Sequence, residues 1–168
     1  MTFRVAAALG ALVCALLLAF GYYLQYVQGL EPCPLCLVQR LFFYAVMGAF
    51  FVAALHPHRA YVGIAALFAL GGAAAAGRQV WLQHLPPEKV PACGPDLFFM
   101  LENFPLSRTL GTLIKGTGEC AVVDWTFLGL SIAEWSLAWF VALFCYALWL
   151  ARGASRRSKA SWSFSTKK

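Results

Sequence analysis

Four apolar stretches, each close to the length of a bilayer crossing, constrain this chain more than any other feature. They fall at about residues 5–26, 36–55, 60–80 and 133–151. A hydrocarbon layer about 30 Å thick needs about 20 apolar residues in a helix. Within lipid, a helix is the element that satisfies every backbone N–H and C=O inside its own segment. The whole chain is 61% hydrophobic and 12% charged, more apolar surface than the core of a soluble domain of 168 residues can use. The expected fold is therefore an all-α membrane protein, a four-transmembrane-helix bundle forming one integral membrane domain over residues 1–168.

The first run follows a short basic start, Met1 to Arg4, and superficially resembles a secretory signal. It is too long for an ordinary signal core and ends in Gly21-Tyr22-Tyr23-Leu24-Gln25-Tyr26 with no small-x-small cleavage pattern. An uncleaved helix whose tyrosines suit the interface fits better. The third run contains Gly71-Gly72-Ala73-Ala74-Ala75-Ala76-Gly77, a stretch that lets a neighbouring helix approach closely. His56 and His58 flank Pro57 in a basic turn without further ligands, which reads as a solvated connection.

Charge placement supplies the topology. All seven acidic residues, Glu31, Glu88, Asp96, Glu102, Glu119, Asp124 and Glu134, fall in or beside two connections, about 27–35 and 82–132. The termini and the Arg59 turn carry only positive charge, and the tail 152–168 holds six Lys or Arg. The positive-inside rule puts both termini and that turn in the cytoplasm and both acidic loops outside. The net charge of +6 thus reads as a topology signal, and no basic face interleaved with stacking aromatics points to nucleic acid. The long loop is proline-rich and carries short helices. One of these has Leu106, Leu110, Leu113 and Ile114 on one face, suited either to the bilayer surface or to a small core of the loop itself.

Four of the six cysteines lie in those outward loops: Cys33 and Cys36 in the first or at its edge, Cys93 and Cys120 in the second. Cys14 and Cys145 lie inside apolar runs without polar neighbours and read as packing residues. Cys33-Pro34-Leu35-Cys36 has the spacing of a small disulfide or a metal pair, and Arg40 follows Cys36 by one helical turn. A helix N-terminus and a guanidinium both favour the reactive thiolate at Cys36. Three readings compete for the four thiols: static staples, a zinc site, and disulfides that exchange electrons by thiolate attack. A single Cys-x-x-Cys with two distant singles is a poor zinc pattern, so no metal is expected. Staples have no use for Arg40 or for a cysteine at the membrane edge, and exchange is the functional reading.

Pro-Cys-x-x-Cys with Arg four residues on, Trp81-Leu82-Gln83 followed by prolines and Cys93, and Gly118-Glu119-Cys120 before Trp125-x-Phe127-Leu128-Gly129-Leu130 together resemble the bacterial disulfide bond formation protein B family. In that family a membrane protein reoxidises a periplasmic dithiol oxidase and passes the electrons to quinone, the route that keeps the periplasm oxidising. The resemblance covers nearly the whole chain. It implies a protein-dithiol:quinone oxidoreductase with redox-active disulfides Cys33–Cys36 and Cys93–Cys120. It further implies Cys93 as the sulfur attacked by a DsbA-like, thioredoxin-like partner, Cys120 exchanging with Cys33, and Cys36 delivering electrons. Arg40 would face the quinone, either ubiquinone or menaquinone. Some members hold a histidine near the outer end of the third helix, where this chain reads Gly77-Arg78-Gln79 and His84 lies further along. Two other classes fit the same loops: a non-enzymatic membrane scaffold with static disulfides, and a thiol redox enzyme resembling vitamin K epoxide reductase.

Overall fold

The computed structural model describes residues 2–90, 118–123 and 125–165. Four long helices make up most of it: α1 (Phe3–Tyr26), α2 (Pro34–Leu55), α3 (Arg59–Gln83) and α4 (Ile132–Ser165). All four are long and apolar enough to cross a membrane, α4 through its stretch Ile132–Gly153. The expected bundle is therefore the observed one. Helix α2 lies between α1 and α3, α3 packs most extensively on α4, and α1 meets α4 to close the ring.

The arrangement of side chains is that of a protein dissolved in lipid. The interior is built largely from small residues, Ala7, Ala53, Ala65, Ala69 and Ala76 among them, with a few large rings between. The exterior carries Leu16, Leu41, Leu67 and Trp149. In lipid, large apolar residues lose nothing by facing outward, and helices associate through close packing of small residues. The glycine pair of α3 shows how close. A Cβ at Gly72 would lie 2.3 Å from the Phe140 ring of α4, and one at Gly71 would lie 2.6 Å from Phe42 of α2. Phe140 is itself stacked on Phe43 of α2, with ring centroids 4.0 Å apart, so α3 is held by rings from both neighbours.

The ends of the helices are tied by polar contacts. Arg4 of α1 donates to the carbonyls of Ala54 (3.1 Å) and Leu55 (2.9 Å), which α2 leaves unpaired at its C-terminus. At the other end of α1, Gly29 at φ +68° lets the N–H of Leu30 turn back to the carbonyl of Leu24 at 3.2 Å. Ser131 and Glu134 form a reciprocal cap at the start of α4: the Ser131 N–H donates to Glu134 Oε2 at 2.7 Å, and the Glu134 N–H to Ser131 Oγ at 3.3 Å. The same hydroxyl donates to Gln83 at 2.8 Å, joining the end of α3 to the start of α4.

The connection between α3 and α4 contains 3-10 turns at Pro87–Lys89 and Gly118–Ala121, and a feature absent from the expected fold. A two-residue hairpin pairs β1 (Thr126–Phe127) with β2 (Leu130–Ser131) antiparallel. Its turn residues Leu128 and Gly129 both have positive φ, 54° and 80°, as a type I′ turn requires. The amphipathic helix expected around Leu106 to Ile114 lies outside the described residues.

Candidate functional site

Cys33, extended at φ −65° and ψ 162°, is the residue from which α2 springs, and Pro34 fills the first helical position. Proline suits that position because its fixed φ is helical and its missing N–H has no partner there in any case. Cys36 therefore falls in the first turn, folded back toward Cys33. The two thiols are 3.1 Å apart, hydrogen-bonded and not covalently joined. A disulfide would need about 2.05 Å, so the two sulfurs are close enough to be joined with only a small side-chain rotation once two electrons and two protons are removed by an oxidant.

Helix α3 supplies the polar floor beneath this pair. The Gln79 amide Nε2 donates to Cys33 Sγ at 3.4 Å and to Cys36 Sγ at 3.3 Å. The Cys36 thiol reaches Gln79 Oε1 at 3.6 Å, and the same oxygen accepts from Gln39 Nε2 at 2.7 Å. Both glutamines are about 4% exposed, which makes them, with Ser131, the buried polar residues of the bundle among those described. An uncompensated buried amide is costly, and here each is satisfied by the other or by sulfur.

The turn Gly118–Ala121 brings a third sulfur to the place. Cys120 is fully buried against Leu35 of α2 and Leu82 of α3, and Cys33 packs on the same cluster. Hydrogen bonding to Cys120, then to Cys36, and burial together push the Cys33 thiol well above the ordinary cysteine range, so it holds its proton. Three of the four sequence-identified cysteines thus converge at one end of the bundle, contributed by the start of α2 and by a turn some eighty residues further along the chain. Cys93 lies outside the described residues.

Arg40 sits one turn below Cys36, as expected from its spacing, but its hydrogen bonds go to α1. It donates to the Gly21 carbonyl at 3.0 Å and to the Gln25 side-chain oxygen, with its guanidinium 4.8 Å from the Tyr22 ring centroid. The hydrogen-bond donor that meets the thiols is Gln79. Two of the five guanidinium N–H groups thus serve α1.

A family model described as "Disulfide bond formation protein DsbB" matches residues 3–150. The chain is 52% identical over 145 residues to the disulfide bond formation protein B of Methylococcus capsulatus, covering 83% of this chain and 88% of the relative. It is 51% identical over 145 residues to that of an Azoarcus species, covering 83% and 87%. It is 41% identical over 155 residues to that of Acinetobacter baumannii, covering 89% and 91%. The chain belongs to the DsbB family. It is a multi-pass membrane protein of a disulfide-forming redox family, and the resemblance read from its motifs is correct.

Several site features bear on what the sequence conveyed about this DsbB-family member. Gln79 was read only as a mark of the third helix's exit. It is buried because its amide packs against Gln39 of α2 and the two thiols, and α3 itself continues to Gln83, beyond the expected end near residue 80. That extension also places His84 as the cap of α3, so the chain does carry a histidine at that helix end, with Nδ1 2.9 Å from the Val80 carbonyl. Cys14 is buried in the core as expected of a packing residue, whereas Cys145 is exposed on the outside of the bundle. Its helix face points away from the other three helices, which periodicity in an all-apolar run does not reveal. Among the described residues, no group of three His, Cys, Asp or Glu is placed to hold a metal.

Proposed function

We propose that this protein is a protein-dithiol:quinone oxidoreductase of the bacterial inner membrane, with both termini cytoplasmic and the cysteine-bearing end of the bundle facing the periplasm. The observation that carries the reading is Cys120 buried beside Cys33, next to a dithiol at the mouth of an apolar helix. A static staple needs two sulfurs; an exchange relay needs a central one within reach of two others, as Cys33 is of Cys36 and Cys120.

In this reading the resting protein holds Cys33–Cys36 and Cys93–Cys120 as disulfides. A thiolate of a periplasmic thioredoxin-like oxidase, DsbA-like in kind, attacks Cys93, forming a mixed disulfide and releasing Cys120 as a thiolate. The partner's second thiolate then resolves the mixed disulfide, so the partner leaves oxidised and Cys93 is left as a thiol. Cys120 attacks Cys33, forming Cys33–Cys120 and expelling Cys36 as a thiolate. Cys36 carries the electron pair at the edge of the lipid, where a lipid-soluble acceptor is accessible. Ubiquinone or menaquinone supplies the two-electron sink. Arg40, one turn below Cys36 and anchored to α1, is the residue to hold a quinone oxygen, and His84 at the end of α3 is a second polar group at the same end of the bundle. Cys93 then attacks Cys120, re-forming Cys93–Cys120 and releasing Cys33, and the Cys33–Cys36 dithiol gives two electrons and two protons to the quinone as its own disulfide re-forms, which closes the cycle.

Two outcomes test the parts. In a Cys36→Ser, Cys93→Ser double variant the remaining loop sulfurs have only each other, and mild oxidation should give a Cys33–Cys120 disulfide in high yield by peptide mass mapping. Sulfurs that stay reduced, or that join Cys14 or Cys145 instead, would contradict the relay. Arg40→Ala should raise the apparent KM for quinone about tenfold or more, since a charge-assisted hydrogen bond contributes about 1.5–3 kcal/mol, while partner-to-loop exchange is unchanged. An unaltered quinone dependence removes Arg40 from the site.

A further inference from the structure

We propose that Gln79 is the group that receives the charge left on Cys36 when the Cys33–Cys36 disulfide is opened, and that Gln39 fixes the Gln79 amide with its N–H side toward the sulfurs. The inference deepens the relay reading above and rests on it for the identity of the attacking sulfur.

The step is a thiol–disulfide exchange. The Cys120 thiolate forms a bond to Cys33, the Cys33–Cys36 bond breaks, and its electron pair departs on Cys36 as a thiolate. The negative charge moves from one sulfur to another, with no proton or external reductant required. A leaving thiolate in an apolar bundle needs a donor, because a thiolate without one bears the full cost of leaving water. Gln79 Nε2 is 3.3 Å from Cys36 Sγ and 3.4 Å from Cys33 Sγ, so it reaches both the leaving and the attacked sulfur. Its oxygen is also 3.6 Å from Cys36 Sγ, an acceptor for that sulfur when it is protonated. One amide therefore serves the thiol through its oxygen and the thiolate through its nitrogen.

An amide can also flip, and a flipped Gln79 would present lone pairs to a thiolate. Gln39 opposes this. Its Nε2 donates to Gln79 Oε1 at 2.7 Å, a bond that a flip of Gln79 alone would replace with two opposed N–H groups, and both residues are too buried for water to relieve that clash. Gln79 touches the reacting atoms, whereas Gln39 acts through it and is a positioning residue.

The readout is the equilibrium between the full-length protein, purified in detergent, and glutathione, followed for the Cys33–Cys36 pair by alkylation and mass mapping. It needs neither quinone nor a protein partner. A donor to the reduced pair makes the disulfide easier to reduce, so Gln79→Met, of similar length but without an N–H, should lower the constant for reduction about tenfold or more. Gln39→Leu should lower it in the same direction by a smaller factor, with thermal stability followed in parallel. If Gln79→Met does not assemble, Gln79→Glu, of the same shape with acceptors in place of the N–H, must lower the constant at least as much. An unchanged constant in whichever Gln79 variant folds overturns the proposal. An unchanged constant in folded Gln39→Leu overturns the role given to Gln39. Absence of quinone turnover in the wild type, with these shifts present, would instead count against the functional reading and leave the amide's role standing.

Discussion

Cys120→Ser should reduce quinone turnover driven by a reduced thioredoxin-like protein by about a thousandfold or more, the scale on which loss of a nucleophile acts. The same variant should retain turnover driven by a small dithiol such as dithiothreitol to within a few-fold. The difference follows from the placement of the three sulfurs. Cys33 and Cys36 are half-buried at the start of α2 and open to a small reductant, whereas Cys120 is fully buried on the Leu35–Leu82 cluster, where its contact is with Cys33 and not with solvent. Its place suits passage of electrons inward. Equal losses with both donors would mean that Cys120 supports the fold at this end of the bundle, and equal retention would mean that the partner reaches Cys33–Cys36 directly.

Gly72→Ala should destabilise the bundle by about 3 kcal/mol, the upper end of the usual cost of overpacking, and Gly72→Leu should prevent recovery of folded protein. A Cβ at this position meets Phe140 Cε1 at 2.3 Å and Cζ at 2.4 Å. The ring cannot swing away, since it is fully buried and stacked on Phe43. Gly77→Ala is the control on the same helix, because nothing lies within 4 Å of a Cβ there. Thermal unfolding in detergent compares the three. A Gly72→Ala protein as stable as Gly77→Ala would show that α3 and α4 are farther apart than described.

These two sites differ in how far the sequence revealed them. The small residues of α3 announce close helix packing, but the rings that fill the space, Phe42 and Phe140, are single members of runs that are apolar all round. In such helices no polar face marks inside from outside, which is why Cys145 was taken for a packing residue although it faces outward. The Cys-x-x-Cys and Arg40 spacing was legible because three- and four-residue separations are local geometry. The Gln39–Gln79 pair was not, because it joins residues forty apart on separate helices, and each alone looks like a polar residue near a helix end. The hairpin at Thr126–Ser131 was missed for a related reason. Leu128 is an unusual residue for a positive φ, and the Leu128-Gly129 turn lacks the Asn-Gly or Asp-Gly that signals such a hairpin. Trp135 Nε1 of α4, which donates to the Phe127 carbonyl at 3.0 Å, and the local stacking of Trp125 on Phe127 help hold it.

The site also separates two roles that sequence spacing had joined. Arg40 was expected to support both the Cys36 thiolate and the acceptor. In the structure its hydrogen bonds anchor it to α1 through Gly21 and Gln25, while the amide of Gln79 meets the sulfurs. The start of α2 therefore presents the dithiol toward Gln79 of α3 and the Arg40 guanidinium toward α1.

The most direct test of the relay is quinone reduction by the purified protein, read as loss of quinone ultraviolet absorbance after a reduced thioredoxin-like dithiol protein is added, with Cys36→Ser measured alongside. The relay predicts repeated turnover in the wild type with ubiquinone or menaquinone, one disulfide formed in the donor per quinone reduced, and no turnover in the variant. Folded wild-type protein that reduces neither quinone with a competent donor, or a Cys36→Ser protein that turns over like the wild type, would contradict it.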